Sequence, residues 1–565
     1  MFDCIFVSLK FMFMKKIVFL ISVVMIIVST SCNQKSPKPA SEEEIVYTGI
    51  DSDKRLSKYV KVKLSTDISV LTENEKKMLP FLFEAAKIMD DIYWLQSFGD
   101  QASFTSKIKD ENTRQFAEIN YGPYDRLDNM FPFIQGFPEM PKGANFYPPD
   151  MTVEEFENLK DETKNSEFTL IKRNDKNELI VVPYHVEYES YLKKASELIL
   201  KAAEYADDAG LKKYLQLRAK ALLNDQYYES DIAWLEMKNN TIDFVVGPIE
   251  HYDDGLFEKK TAYESFILVK DKIWSSKLAQ FNKYLPELQL SLPVMPAYKS
   301  EKPGVDGDLN AYDAIFYAGD CNSGSKTIAI NLPNDPKVQL LKGTRRLQLK
   351  NSMRAKYDNI LVPIANVMLD ESQRNLISFE AFFTNTMFHE VAHGLGIKYL
   401  IKNKNIEVKT ALKDHYSAIE EAKADILGLY MVDYLYNKGE LQEVDIQSYY
   451  TTFIASIFRS IRFGSSSAHG KANMMRFNFF LSEGALIRNE NGTYKINFDK
   501  MKIAISKLSA KIIVIQGDGD YQKAADWVNS EAIIKDRLQQ DMLKLTEMNI
   551  PVDIVFEQGL SVLGL

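Results

Sequence analysis

The chain has 565 residues, more than one simple core holds, so two or three domains or lobes are expected. Hydrophobic residues make up 45% and charged residues 26%, the balance of an ordinary soluble globular protein. The formal net charge is -9 and long basic runs are absent, which leaves a nucleic-acid partner without electrostatic support.

The first element is a targeting segment. Lys15-Lys16 precedes the apolar run Ile17 to Val28, and "STSC" closes it at Cys32. A basic start, a short apolar core and small residues before a cleavage point read as a secretory signal. The apolar run is shorter than the ~20 residues a spanning helix needs. The residues before Cys32 resemble a bacterial lipoprotein box, with Ser29 where leucine is usual. That resemblance implies cleavage before Cys32, a lipid anchor on its thiol and an extracytoplasmic, periplasmic-side location. Met14 offers a second start. The expected layout is therefore a leader over 1–32, a polar tether with two prolines over 33–50, and a body over 51–565. Cys4 and Cys32 lie in the leader, leaving Cys321 alone in the body. It can form no intramolecular disulfide and no thiolate cluster, so any metal site must draw on His, Asp and Glu.

From about Leu71 the pattern is helical. "NELIVVPYHVEY" and "TIDFVVGPIEHYDD" read as strands, rich in β-branched residues and bounded by turn formers. "TIAINLPNDPKV" reads as a strand entering a loop. Helical patterns dominate again from about Leu361 to Leu486, and "NIPVDIVF" reads as a short final strand. The sum is α+β, a mixed lobe plus a helix-rich lobe, with 361–510 the main helical part.

Inside that part stands "FHEVAHGLG", Phe388 to Gly396. Phe379, Phe382, Phe383, Met387 and Val391 recur at helical spacing, so His389 and His393, four apart, face the same way and can share one metal ion. In H-E-x-x-H sites the glutamate, here Glu390, is the general base toward a metal-activated water. Gly394 and Gly396 end the helix just beyond. A catalytic zinc needs a third protein ligand. Downstream, Ser417 and Glu420 form an S-x-x-E capping-box pattern that predicts a helix start. Ile419, Ile426, Leu427, Tyr430 and Leu435 give that helix a buried stripe. On it Glu421 could ligate zinc and Asp425 could orient a ligand histidine. An acidic pair in a first helical turn also serves simply to compensate the helix dipole.

"HEVAHGLG" followed by "SAIEEAKADILGLY" resembles the dipeptidyl peptidase III family of zinc exopeptidases. The spacing here is the five-residue form, similar to shorter bacterial members and to the peptidase-like region of plant proteins that also carry a nudix domain. The resemblance implies zinc on His389, His393 and Glu421, with Glu420 and Asp425 supporting the ligands. "GPIEHYDD" from Gly247 resembles a substrate-facing segment, which implies substrate roles for Glu250 and Tyr252. "INLPND" resembles a segment whose asparagines, here Asn331 and Asn334, hold the peptide backbone. "AHGKANMMRF" resembles one whose histidine, here His469, stabilises the transition state. The chain departs from the family at Asp243-Phe244-Val245, where Val245 stands for an expected tyrosine. The resemblance further implies two lobes, a β-barrel-like core in the mixed lobe and a cleft for an extended peptide. The expected protein is a monomeric, membrane-tethered zinc peptidase that releases N-terminal dipeptides from short peptides. The rival is a non-catalytic, zinc-containing, peptide-binding lipoprotein on the same scaffold. His185, His251 and His415 are left as structural or exposed, and no R-E-x-x-E-E box supports nucleotide hydrolysis.

Overall fold

A computed structural model describes residues 46–303, 307–465 and 467–565. The expected leader, Cys32 and most of the expected tether lie outside the described residues. Tyr47 already pairs with Ile108, and Gly49 with Ile134. No described helix is long and apolar enough to cross a membrane.

The helix read from Leu71 is α1 (Glu73–Ser97). Thr72 Oγ1 accepts from the Glu75 N–H at 3.0 Å, and the Glu75 carboxylate accepts from the Thr72 N–H at 2.9 Å, a reciprocal pair that satisfies two of the donors at the helix start. Its buried face, including Met78, Leu82, Met89 and Ile92, packs on α2 (Glu189–Glu204) and on a central sheet. "NELIVVPYHVEY" is extended only over Leu179–Pro183; a short helix begins at Tyr184. Pro183 supplies no N–H, so the ladder stops there and the chain turns.

The central sheet contains β2 (Ile242–Glu250), β3 (Ala262–Asp271), β4 (Gly307–Gly319), β5 (Ala329–Leu332) and β6 (Thr344–Leu349). Their order is β2-β3-β4-β6-β5, antiparallel throughout except for the parallel β4–β6 pair. The expected barrel-like core is instead an open sheet among the described residues. β5 is four residues long, and Pro333 after it has no N–H with which to extend a ladder. Its end nevertheless comes back to β2: Asn334 Nδ2 donates to the Ile249 carbonyl at 3.1 Å. The final strand β7 (Asp553–Glu557) pairs in parallel with β1 (Tyr59–Lys63), which returns the tail to the strand-bearing lobe.

The helical lobe contains α3 (Phe379–Ala392), α4 (Tyr416–Asn437), α5 (Ile446–Ser460), α6 (Ala468–Ser482) and α7 (Phe498–Asp518). α3 packs along α4 and α5, and α4 is covered further by α6 and α7. Phe382, Phe383, Met387 and Val391 of α3 are buried, as are Ile419, Ile426, Leu427 and Leu435 of α4. The capping-box expectation fails: α4 begins at Tyr416 after a single tight turn, Lys413–His415, and Ser417 lies inside the helix. Glu420 is drawn away to other partners.

Candidate metal centre

α3 and α4 cross with unusually close backbones. Gly428 of α4 lies against the Phe388–His389 peptide of α3, where a Cβ would stand 3.0 Å from the His389 nitrogen. That approach brings Glu421, two turns earlier, to the face of α3 that carries His389 and His393.

The three donor atoms form a small triangle. His389 Nε2 and His393 Nε2 are 3.3 Å apart, His389 Nε2 and Glu421 Oε2 are 3.4 Å apart, and His393 Nε2 and Glu421 Oε2 are 3.9 Å apart. A tetrahedral zinc with ligand distances of 2.0–2.1 Å spaces neighbouring donors by roughly 3.3 Å. The outer nitrogens are pinned. His389 Nδ1 meets Asp425 Oδ1 at 2.8 Å, and His393 Nδ1 meets Glu420 Oε1 at 3.1 Å. Each carboxylate asks for a proton on Nδ1, which leaves the Nε2 lone pair bare toward the triangle. Two bare lone pairs and a buried carboxylate oxygen that accepts no well-directed hydrogen bond make an arrangement a cation completes. The residues therefore fit a zinc ion.

A second triangle overlaps the first: His389, Glu421 and His469 also offer donor atoms within 4.8 Å of one another. His469 Nδ1 lies 3.1 Å from Glu421 Oε2, but its side chain is 62% exposed and no described carboxylate fixes its other nitrogen. The tighter set, with both imidazoles pinned, is the better candidate for the metal ligands. His469 sits in the first turn of α6, with its ring near Glu421.

The supporting carboxylates are held in turn. Asp425 is in ion-pair contact with the buried Arg476 of α6, and Glu420 receives Lys423 Nζ at 2.7 Å and Gln516 Nε2 at 2.9 Å. Burial alone would raise the Glu420 carboxyl, but Lys423 and His393 bring it down to about 2. Burial would likewise raise Glu421; the imidazoles of His389 and His469 outweigh it and hold it well below the usual carboxylate range. Burial lowers the Arg476 guanidinium to about 9, with Glu421 opposing. Lys423 also donates to the His393 and Leu395 carbonyls at 3.2 and 3.0 Å, closing the end of α3. Lys423 had a signal in the sequence, three residues after Glu420 on one helix. Arg476 and Gln516 had none, because only the tertiary packing of α6 and α7 on α4 brings them in.

Glu390 lines a cavity of about 670 Å³ with His389, His469, Tyr252 and Asn473. It makes no hydrogen bond or ion pair among the described residues, so its carboxylate is free to act. Arg346 of β6 is its electrostatic neighbour. Asn334 and Glu250 come together where β5 returns to β2; Glu250 is raised by burial and eased back by its hydrogen bond to Asn334. Asn331 is exposed on β5, whose ladder is with β6 alone. Tyr252 lies past the end of β2, 79% exposed in the cleft. Val245 is buried on β2 and lines a different cavity of about 750 Å³, shared with Asn334. The other histidines are elsewhere: His185 pairs with Asp225 at 2.7 Å, His251 stacks on Tyr252, and His415 lies against Tyr521.

The family model for peptidase family M49 matches residues 155–420. A dipeptidyl peptidase III structure from Caldithrix abyssi is 40% identical, with a TM-score of 0.87 over 90% of this chain and 99% of that one. The chain belongs to peptidase family M49. A dipeptidyl-peptidase III structure from Corallococcus sp. strain EGB is 36% identical, with a TM-score of 0.77 over 90% of this chain and 96% of that one. A protein of Arabidopsis thaliana named nudix hydrolase 3 is 34% identical over 89% of this chain and 73% of its own length. Membership makes the chain a metallopeptidase of the exopeptidase type with a two-lobed α+β fold.

Proposed function

We propose that this chain is a zinc-dependent dipeptidyl peptidase acting on short peptides. The observation that carries the reading is the donor triangle of His389, His393 and Glu421, with edges of 3.3, 3.4 and 3.9 Å, beside an uncommitted Glu390. Zinc, when bound, supplies the Lewis acidity that brings the pKa of water toward ~7. Glu390 takes a proton at its carboxylate from the attacking water, whose oxygen bonds to the scissile carbonyl carbon. Glu390 then returns the proton to the amide nitrogen as the C–N bond breaks. His469 offers a ring N–H to the developing oxyanion. Glu250 and Asn334 hold the α-ammonium of the peptide, and Asn331 and Tyr252 hold its backbone along β5. An acidic group fixing the amino end at a set distance from Glu390 makes the product a fixed-length N-terminal fragment.

The complete donor set and the free Glu390 speak against the rival, a non-catalytic binding protein. The leader pattern supports a lipoprotein tethered at Cys32 on the extracytoplasmic side of a membrane. The test is digestion of a mixed-length peptide library by purified protein, with and without chelator. Chelator-sensitive release of N-terminal dipeptides is expected. Internal cuts would remove the exopeptidase reading, and cleavage indifferent to chelator would remove zinc.

A further inference from the structure

The cavity that holds His389 and Glu390 continues along residues Ser325–Ala329, the approach to β5, and ends at a wall of cations. Lys326 precedes β5, Lys356 ends the helix Lys350–Lys356, and Arg459 sits near the end of α5. The two lysines are buried and committed. Lys326 Nζ donates to the Asn322 carbonyl; Lys356 Nζ donates to the Lys326 carbonyl at 2.6 Å and to Asp553 at 3.0 Å.

Arg459 is different. Its Nε is buried without a partner, and the side chain makes no hydrogen bond or ion pair among the described residues. The Phe382 ring lies 5.8 Å from its guanidinium carbon. Among the described residues Asp553 is the one carboxylate acting on it, and Lys356 and Ser325 already share that group. Lys326, Lys356 and Arg459 stand against Asp553 and, at Lys326, Asp90, so cations outnumber carboxylates at this end of the cavity. Arg459 is part-buried with an unpaired buried Nε, which is costly, and a fold keeps such a group where something else completes it.

The direction of the cleft says what that is. On the function proposed above, the amino end of a peptide sits at Asn334 and Glu250. A chain lying along the open edge of β5 then runs antiparallel to it, passes Glu390, and carries its C-terminal half toward Lys326 and Arg459. At 3.3 Å per residue, a peptide beside Lys326–Asn331 is on the order of five residues long. We propose that Arg459 binds a carboxylate in the leaving half of the substrate, the C-terminal carboxylate of a peptide of about this length. This makes the enzyme selective for short peptides with a free C-terminus, through a planar fork suited to bidentate carboxylate binding.

The test reads binding directly. Full-length, zinc-loaded Glu390→Gln keeps the cleft without turnover, and calorimetry compares pentaalanine, its C-terminal amide, and an amidated pentapeptide with aspartate at the fourth position. The free acid is expected to bind at least about tenfold tighter than the amide, and adding Arg459→Gln should close the gap while leaving the amide unchanged. Arg459→Lys should restore part of it. Arg459→Gln removes a part-buried cation with an unpaired Nε, so its melting temperature is expected at or above the parent's. Tight binding of the aspartyl amide would keep the arginine–carboxylate contact but overturn the C-terminus as its source. Equal binding of acid and amide, a gap that survives loss of Arg459, or no binding by either peptide overturns the proposal. Wild type that prefers the free acid yet releases no dipeptide would sink the peptidase reading and leave this one standing.

Discussion

Replacing Gly428 by alanine should loosen the metal while leaving every metal ligand in place. The added methyl would stand 3.0 Å from the His389 nitrogen and the Phe388 carbonyl carbon, and 3.1 Å from the Phe388 oxygen. Carbon contacts settle at roughly 3.5–4.0 Å, so α3 and α4 must part by roughly 0.5–1 Å. Both histidines ride on α3 and Glu421 rides on α4. The parting therefore opens the 3.4 and 3.9 Å edges and leaves the 3.3 Å edge alone. Metal–ligand bonds tolerate about 0.2 Å. Zinc affinity should fall about 10- to 100-fold, on the scale of damage to ligand support, or about 1.4–2.7 kcal/mol. The fold should suffer less: alanine gains about 1 kcal/mol over glycine in a helix, against about 1–3 kcal/mol for overpacking. Chelator competition reads the affinity, and urea unfolding with and without zinc reads the stability. Gly99→Ala, with no atom near its added Cβ, is the control for an added methyl without a clash. A folded Gly428→Ala protein with parental zinc affinity would refute the reasoning.

Three further outcomes are expected. Glu390→Gln should bind one zinc per chain with parental affinity and lose nearly all peptide turnover; retained turnover would remove Glu390 as the base. Lys423→Met strips the cation from the buried Glu420 and two carbonyls at the end of α3, so it should lower unfolding free energy by about 3 kcal/mol and weaken zinc binding. A loss under about 1 kcal/mol by urea titration would show that Gln516 and His393 suffice for Glu420. Burial lowers Lys326 to about 8, with Asp553, Cys321 and Asp90 opposing and Lys356 assisting. Between that value and about 10.4 the unfolded chain holds more protons, so stability rises with pH by up to about 1.4 kcal/mol per unit. The penalty of the buried ammonium is thus fully present below about pH 8 and relieved above it, and Lys326→Met should flatten the rise; parallel wild-type and variant profiles over this window would contradict the assignment.

What the sequence made legible was periodic or local. The stripe from Phe379 to Val391 placed α3, and the histidines came with it. The glutamate two turns before Gly428 was readable because its helix carries its own apolar stripe. Ser417 misled for a local reason as well: the capping pattern S-x-x-E is genuine, but His393 and Lys423 compete for Glu420 and win, and α4 starts from the turn before it. The open sheet was not legible, since closure depends on whether β5 can continue beyond Leu332 and on where Asn334 reaches. Arg476, Gln516 and Arg459 were invisible too. Each is an ordinary helix residue until α6, α7 and α5 are packed around α3 and α4.

The charge around the metal set explains why these distant residues are needed. With neutral imidazoles, Glu390, Glu420, Glu421 and Asp425 bring four negative charges, while Lys423, Arg476 and Arg346 bring three positive ones. The sum is one negative charge, and a divalent ion turns it into one positive. The protein groups thus come close to balance among themselves, so the fold bears little uncompensated charge of its own. On the proposed function, a bound divalent ion would make the site net positive where the peptide oxygen turns anionic. Had Lys423 and Arg476 been neutral, the same ion would leave the site net negative and repel that oxygen. The two buried cations therefore do more than hold Glu420 and Asp425 in place. On the proposed function they would set the sign of the field that the oxyanion meets.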